Sequence, residues 1–286
     1  MQVITDDNVR LHVEDVGSGS PVVFVHEFAG DHRSFEPQMR FFSRAHRCVT
    51  FAARGYLPSD VPEDPAAYGQ DRARADVIAV MDGLGIDRAH VVGHSMGAYT
   101  ALHVGLFHPE RCLSVAALGC GWGSNPAERD ASIIACEAIA DMFRSEPIAE
   151  AAAKYARAPM RLTFEAKDPR GFAEFERMLA EHSGLGSALT MLNLQIKRPT
   201  LWELEADLKA FEPPLLVIVG DEDFPCIEGS VFLKRVVPTA GLLMLPRAGH
   251  TITSEEPAAV NAALGELFAA AEAGTWMSHR NRGGGA

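Results

Sequence analysis

Cysteine is sparse in this chain. Cys48, Cys112, Cys120, Cys136 and Cys226 are scattered through 286 residues, odd in number and with no CxxC pair. That pattern excludes a disulfide framework and a zinc-type cluster, and leaves free buried thiols in a reducing compartment. Basic runs are also missing: no stretch of Lys or Arg exceeds two residues, and the formal net charge is −12. A phosphate backbone needs clustered cations, so nucleic acid is excluded as a partner. The opening MQVITDDNVR has neither the basic start nor the apolar stretch of a signal peptide. No uninterrupted apolar run approaches the ~20 residues of a membrane helix, so a membrane partner is excluded and a cytoplasmic location is expected. HExxH and a phosphate-binding glycine loop are lacking too. Neither a metal nor a cofactor is therefore expected, and the partner left is a small-molecule substrate bound by a monomer or homodimer.

What the chain does have is apolar content and alternation. Hydrophobic residues make up 47%, enough for a large core in one α/β domain with an insertion. Gln2–Thr5 and Arg10–Val16 read as a ribbon turned at Asp6-Asp7-Asn8. Val22–His26 is a continuous apolar run, as in a strand covered on both faces. Then helix-like Ser34–Arg44, Asp71–Leu84 and Met96–Phe107 alternate with strand-like Cys48–Ala52, His90–Gly93 and Cys112–Leu118. This order predicts a mostly parallel sheet with helices on both faces. From 124 to 207 the alternation gives way to helical segments such as Glu128–Phe143, Ile148–Arg157 and Phe172–Glu181, punctuated by Pro147, Pro159, Pro169 and Pro199. These read as a helical cap over the sheet's functional edge, set between core segments 1–123 and 208–275. Strands Leu215–Val219 and Leu242–Leu245 and helices Ser230–Val236 and Pro257–Ala271 complete the core. The tail, 276–286, ends SHRNRGGGA and is expected to be disordered.

Gly93-His94-Ser95-Met96-Gly97 fits G-x-S-x-G, and its setting matters more than the pattern. An apolar strand precedes it and a helix follows, which places Ser95 on a tight turn at the sheet's carboxyl edge. Gly93 and Gly97 stand where a Cβ would meet backbone. A serine needs a base within hydrogen-bond reach and a third group to orient that base. His250 lies in the loop after the last strand and Asp223 just past the strand ending at Gly220. The pair follows Ser95 in the order Ser, acid, His expected of this topology. Asp221, nearer the strand, is better suited to bracing the turn. An oxyanion would be held by the N–H groups of Met96, after the nucleophile, and Phe28, in the loop after the earlier strand.

With these residues in place, the chain resembles the α/β-hydrolase superfamily over about residues 1–275. The matching motifs are GHSMG at 93–97, GDED at 220–223, AGH at 248–250, and HEFAG at 26–30 where the family usually shows H-G-x-x-G. It is similar to the capped serine esterases, cofactor-free perhydrolases and carbon–carbon-bond hydrolases. The resemblance implies an eight-stranded, mostly parallel sheet with a helical cap inserted after the sixth strand. It also implies an acyl-enzyme mechanism and no cofactor. Ser at 95 sets the chain apart from the haloalkane dehalogenase and epoxide hydrolase branches, which carry Asp there. Hydrolysis of a carboxylic ester or lactone is the first expectation, cleavage of a C–C or amide bond the second, and a ligand receptor with a slow triad the third. Met142, Phe143, Met178, Met191, Leu192 and Trp202 could wall an apolar pocket, though helix packing is the plainer role for each. Lys197 and Arg198 could bind a substrate carboxylate, with a solvated pair as the plainer reading. Glu27 departs from the family pattern. It is expected to turn from the pocket and pair with a cation or with loop N–H groups; the alternative has it facing the pocket to hold water or a polar substrate group.

Overall fold

The structure, a computed structural model, describes residues 1–276. Eight strands form one sheet: β1 (Gln2–Ile4), β2 (Arg10–Gly17), β3 (Pro21–Val25), β4 (Arg47–Phe51), β5 (Ala89–His94), β6 (Cys112–Leu118), β7 (Leu215–Gly220) and β8 (Ala240–Leu245). Their order is β1-β2-β4-β3-β5-β6-β7-β8. The two pairings of β2, with β1 and with β4, are antiparallel, and every pairing from β4 to β8 is parallel. From β3 the chain steps outward to β4 and then crosses back to β5 on the other side. The carboxyl ends of β3 and β5 are therefore neighbours at a topological switch point, with Val25 opposite Gly93. A crevice opens at such a point, because the connections leave in opposite directions.

Period-two alternation builds the layers. Val23, Val25, Val49, Phe51 and Val91 face one way, against α2 (Gln70–Gly83), α3 (Met96–Phe107) and the later α10 (Phe224–Val236). Val22, Phe24, Cys48 and Val92 face the other, against α1 (Glu36–Phe42) and α12 (Pro257–Glu272). Between β6 and β7 lie α4 (Arg129–Ser145), α5 (Ile148–Ala156), α6 (Leu162–Lys167), α7 (Pro169–Leu179), α8 (Gly184–Thr190) with a wider π turn over Met191–Gln195, and α9 (Glu205–Leu208). A third apolar cluster joins this insertion to the sheet edge, bringing Phe143, Phe164, Phe175 and Met191 together with Phe28 and Met96.

Several expectations need correction. The helix expected at Ser230–Val236 begins at Phe224, directly after Asp223, with Pro225 in its first turn where a missing N–H costs nothing. Helices α6, α8 and α9, and α11 (Ile252–Glu255), are four to seven residues long, too short to show a helical period. Trp276 is anchored, its indole N–H donating to the Thr239 carbonyl at 2.7 Å, while the rest of the expected tail lies outside the described residues. All five cysteines are buried and free. Among the described residues no helix is long and apolar enough to cross a membrane.

Candidate active site

Ser95 stands between β5 and α3 with φ at +54°, a left-handed conformation that costs a non-glycine residue energy. The surrounding structure enforces it. The Ser95 N–H donates to the Leu118 carbonyl at the end of β6, at 2.7 Å. A Cβ on Gly93 would lie 2.0 Å from the Gly97 carbonyl oxygen, and one on Gly97 would lie 2.0 Å from that of Val25. Both neighbours are backbone and cannot yield, so the elbow requires glycine on either side.

The loops after β7 and β8 are tied to each other. The Asp221 N–H donates to the Leu245 carbonyl and that of Glu222 to the Ala248 carbonyl, each at 2.9 Å. The Asp221 carboxylate accepts from the Ala248 N–H at 3.3 Å and so braces the turn. Asp223, fully buried, instead meets His250: Nδ1 lies 2.7 Å from Oδ2. With Nδ1–H donating to the carboxylate, Nε2 keeps the lone pair that a general base needs. His94 supports the His250 loop, its Nε2–H donating to the His250 carbonyl at 2.7 Å. Burial holds His94 down at about 4, so it is neutral near pH 7.

Phe28 follows β3 and Met96 opens α3, both buried in the same apolar cluster. Among the described residues, neither N–H donates to a protein acceptor. Two free amides at the switch point are what a developing oxyanion would require.

Glu27 is buried but does not turn away. Its Oε2 lies 3.9 Å from His250 Nε2, and its Oε1 lies 3.8 Å from His94 Nδ1. The cation expected as its partner exists, but it comes from the insertion above the site. Arg161 grips both carboxylate oxygens, Nη1 to Oε1 at 3.1 Å and Nη2 to Oε2 at 2.5 Å. Burial alone would favour the neutral acid. Arg161, with His94 and His250, outweighs it and holds the Glu27 carboxyl well below the usual carboxylate range. Sequence reasoning missed Arg161, and spacing offers no signal for it. Only the solitary acid in the loop after β3 announces that some cation must come near.

The other candidates divide. Phe143 meets Phe28 edge to face, with ring centroids 5.6 Å apart, and Met142, Met191 and Leu192 pack in the same cluster. Met178 lines a cavity of about 370 Å³ with Glu27, Arg33, Phe164, Phe175 and Thr251. Trp202 is elsewhere. It stacks on Phe232 of α10 at 4.2 Å and packs with the main core, because the chain is already returning to the sheet there. Lys197 donates to Asn193, and the buried Arg198 lies over the Tyr99 ring at 3.7 Å. Both line a separate open groove of about 740 Å³ together with Trp202. His12 and Glu14 of β2, with His32 from the loop after β3, bring ligand atoms within 4.8 Å of one another, a set that could hold a single ion.

Comparison with known proteins agrees with the fold. The sequence profile of the alpha/beta hydrolase fold matches residues 20–257. The 2-hydroxy-6-oxo-6-phenylhexa-2,4-dienoate hydrolase of Burkholderia cepacia is 28% identical over 271 residues, covering 89% of each chain. Epoxide hydrolase 2 of Siraitia grosvenorii is 33% identical, but over only 116 residues, 40% of this chain and 37% of that protein. Among solved structures, the enol-lactonase of Burkholderia xenovorans LB400 superposes with a TM-score of 0.81 at 21% identity, over 94% of this chain and all of that one.

Proposed function

The chain belongs to the alpha/beta hydrolase fold family, and on that premise we propose that it is a serine hydrolase cleaving a small-molecule carboxylic ester or lactone through an acyl-enzyme. The observation that carries this reading is the strained Ser95 elbow, whose neighbour His94 meets the His250 carbonyl at 2.7 Å, together with the His250–Asp223 hydrogen bond of 2.7 Å. Ser95 Oγ attacks the carbonyl carbon while His250 Nε2 takes the hydroxyl proton. Asp223 holds the tautomer and stabilises the imidazolium. The oxyanion is met by the Phe28 and Met96 N–H groups. As the tetrahedral intermediate collapses, His250 returns the proton to the leaving oxygen. Water, deprotonated by the same base, then attacks the acyl-serine, and the C–O bond to Ser95 breaks as His250 returns that proton to Oγ, releasing the acid. The apolar cluster around Phe28, Phe143 and Met191 suits a hydrophobic acyl group.

One observation favours a second reading. The Burkholderia cepacia relative, which aligns over 89% of its length, is named for a molecule with a ketone and a carboxylate but no ester or amide. Hydrolysis of that molecule must break a carbon–carbon bond. The discriminating experiment is steady-state turnover on a panel of aryl and alkyl esters, lactones, amides and vinylogous 1,5-diketo acids. Our reading expects kcat/KM for the best ester or lactone at least about 10³-fold above the diketo acids, with a burst of alcohol release. The opposite ranking supports carbon–carbon cleavage, and no turnover of any class would sink both readings.

A further inference from the structure

We propose that Glu27 is a positioning residue for His250: its carboxylate, anchored by Arg161 of the helical insertion, lies against the ring nitrogen that trades a proton with Ser95 and stabilises the imidazolium formed during acyl transfer. The inference rests on the serine-hydrolase reading and adds a second anion to the base. Asp223 Oδ2 lies 2.7 Å from Nδ1 at one edge of the ring, and Glu27 Oε2 lies 3.9 Å from Nε2 at the other. At 3.9 Å the carboxylate does not take the proton by a hydrogen bond, so Nε2 stays available to Ser95. It is nonetheless a close charge in a site that water barely reaches, with the Glu27 and Arg161 side chains 3% and 1% exposed.

The rest of the cage is neutral. From β5, burial holds His94 at about 4. From the loop after β3, burial lowers His26, and from the insertion it holds His182 at about 4. Burial raises the phenols of Tyr56 and Tyr155, and burial followed by Asp223 raises the thiol of Cys226, whose sulfur is 3.9 Å from His250 Nδ1. Among the described residues, the charges at the ring itself are Asp223 and the Glu27–Arg161 pair, with the Glu255–Lys167 pair beyond them at the Gly249 N–H. Pairing also explains how an anion is tolerated next to the oxyanion donor Phe28. The field of a neutral pair falls off faster with distance than that of a lone charge, so the carboxylate acts mainly on its nearest neighbour. Arg161 fixes the orientation with a two-pronged grip on Glu27 and a bond to Thr251 Oγ1 at 2.9 Å, on the residue after the base.

A pair that served only to hold the fold would change the melting temperature and nothing else. A positioning pair makes the acidic limb of reactivity depend on which partner is removed. The test is the pH dependence of the second-order rate at which a fluorophosphonate modifies the full chain, followed by intact mass, so that no natural substrate is needed. Glu27→Gln removes the anion and leaves the cation, and should move the acidic limb to lower pH by about one unit. Arg161→Met leaves the anion unopposed and should move it to higher pH. The double variant buries no charge at this position and stays informative if a single variant fails to fold. Its limb should lie between those of Glu27→Gln and the parent. Limbs of Glu27→Gln and the double variant that coincide with the parent's, with only melting lowered, would overturn the inference and leave the hydrolase reading intact. A parent chain that takes no label would overturn the hydrolase reading, and the inference with it.

Discussion

Ser95, Asp223 and His250 are widely separated in sequence, and each stands at the carboxyl end of a different strand. Their roles are separable by substitution. Asp223 is fully buried against His250, whereas Asp221 accepts the Ala248 N–H at 3.3 Å and is partly exposed. Asp223→Asn should therefore lower turnover by about 10⁴, the loss that follows removal of the orienting acid of a triad. Asp221→Asn keeps an acceptor in place and should change kcat by less than about tenfold. Steady-state kinetics on both variants, with circular dichroism to show that each is folded, checks the assignment. A larger loss at Asp221 than at Asp223 would contradict it. These positions were legible in the sequence because strand ends and glycine turns write them locally. The orientation of Glu27 was not, since it is decided by Arg161, 134 positions away.

At the scale of elements, the short stretch Pro159–Lys167 ties the helical insertion to the His250 loop. The His250 N–H donates to the Met160 carbonyl at 2.7 Å. Thr163 Oγ1 donates to Glu255 at 3.1 Å, and Glu255 also accepts from the Gly249 N–H at 3.0 Å. Lys167 reaches the same Glu255 at 2.9 Å. Composition and proline spacing revealed that helices fill this region, and periodicity placed the long ones. The six-residue α6 carries too little pattern to be read alone, so its grip on the His250 loop stayed hidden. Losing Arg161 would strand a buried carboxylate, and breaking such a pair costs about 3–5 kcal/mol. Arg161→Met should lower the unfolding free energy measured in urea by that amount, and adding Glu27→Gln should recover most of it. A double variant as unstable as Arg161→Met would mean that packing, and not charge, holds the two elements together.

Over the whole molecule, burial leaves several histidines unable to take a proton. His90, His94, His103 and His182 are all held at about 4 by burial, against 6.5 in the unfolded chain. Their folded values are depressed, so the unfolded state binds more protons between these limits. The stability they contribute is present in full above pH 6.5 and is lost as pH falls toward 4. Each contributes up to about 1.4 kcal/mol per pH unit in that window. The urea midpoint should therefore drop steeply from pH 6.5 to 4.5, and a flat midpoint there would contradict the burial. The mostly parallel sheet and its two helical layers followed from alternation and apolar runs, which act along the whole chain, whereas the strand order, with β4 outside β3, is set by long-range pairing that no local pattern writes. The central claim is narrower: one serine in this fold is activated as a nucleophile. Treating the full chain with a fluorophosphonate and mapping the adduct by mass spectrometry tests it most directly. The account expects one adduct, on the peptide containing Ser95, and none in Ser95→Ala. Labelling at another residue, or labelling that persists in Ser95→Ala, would contradict it.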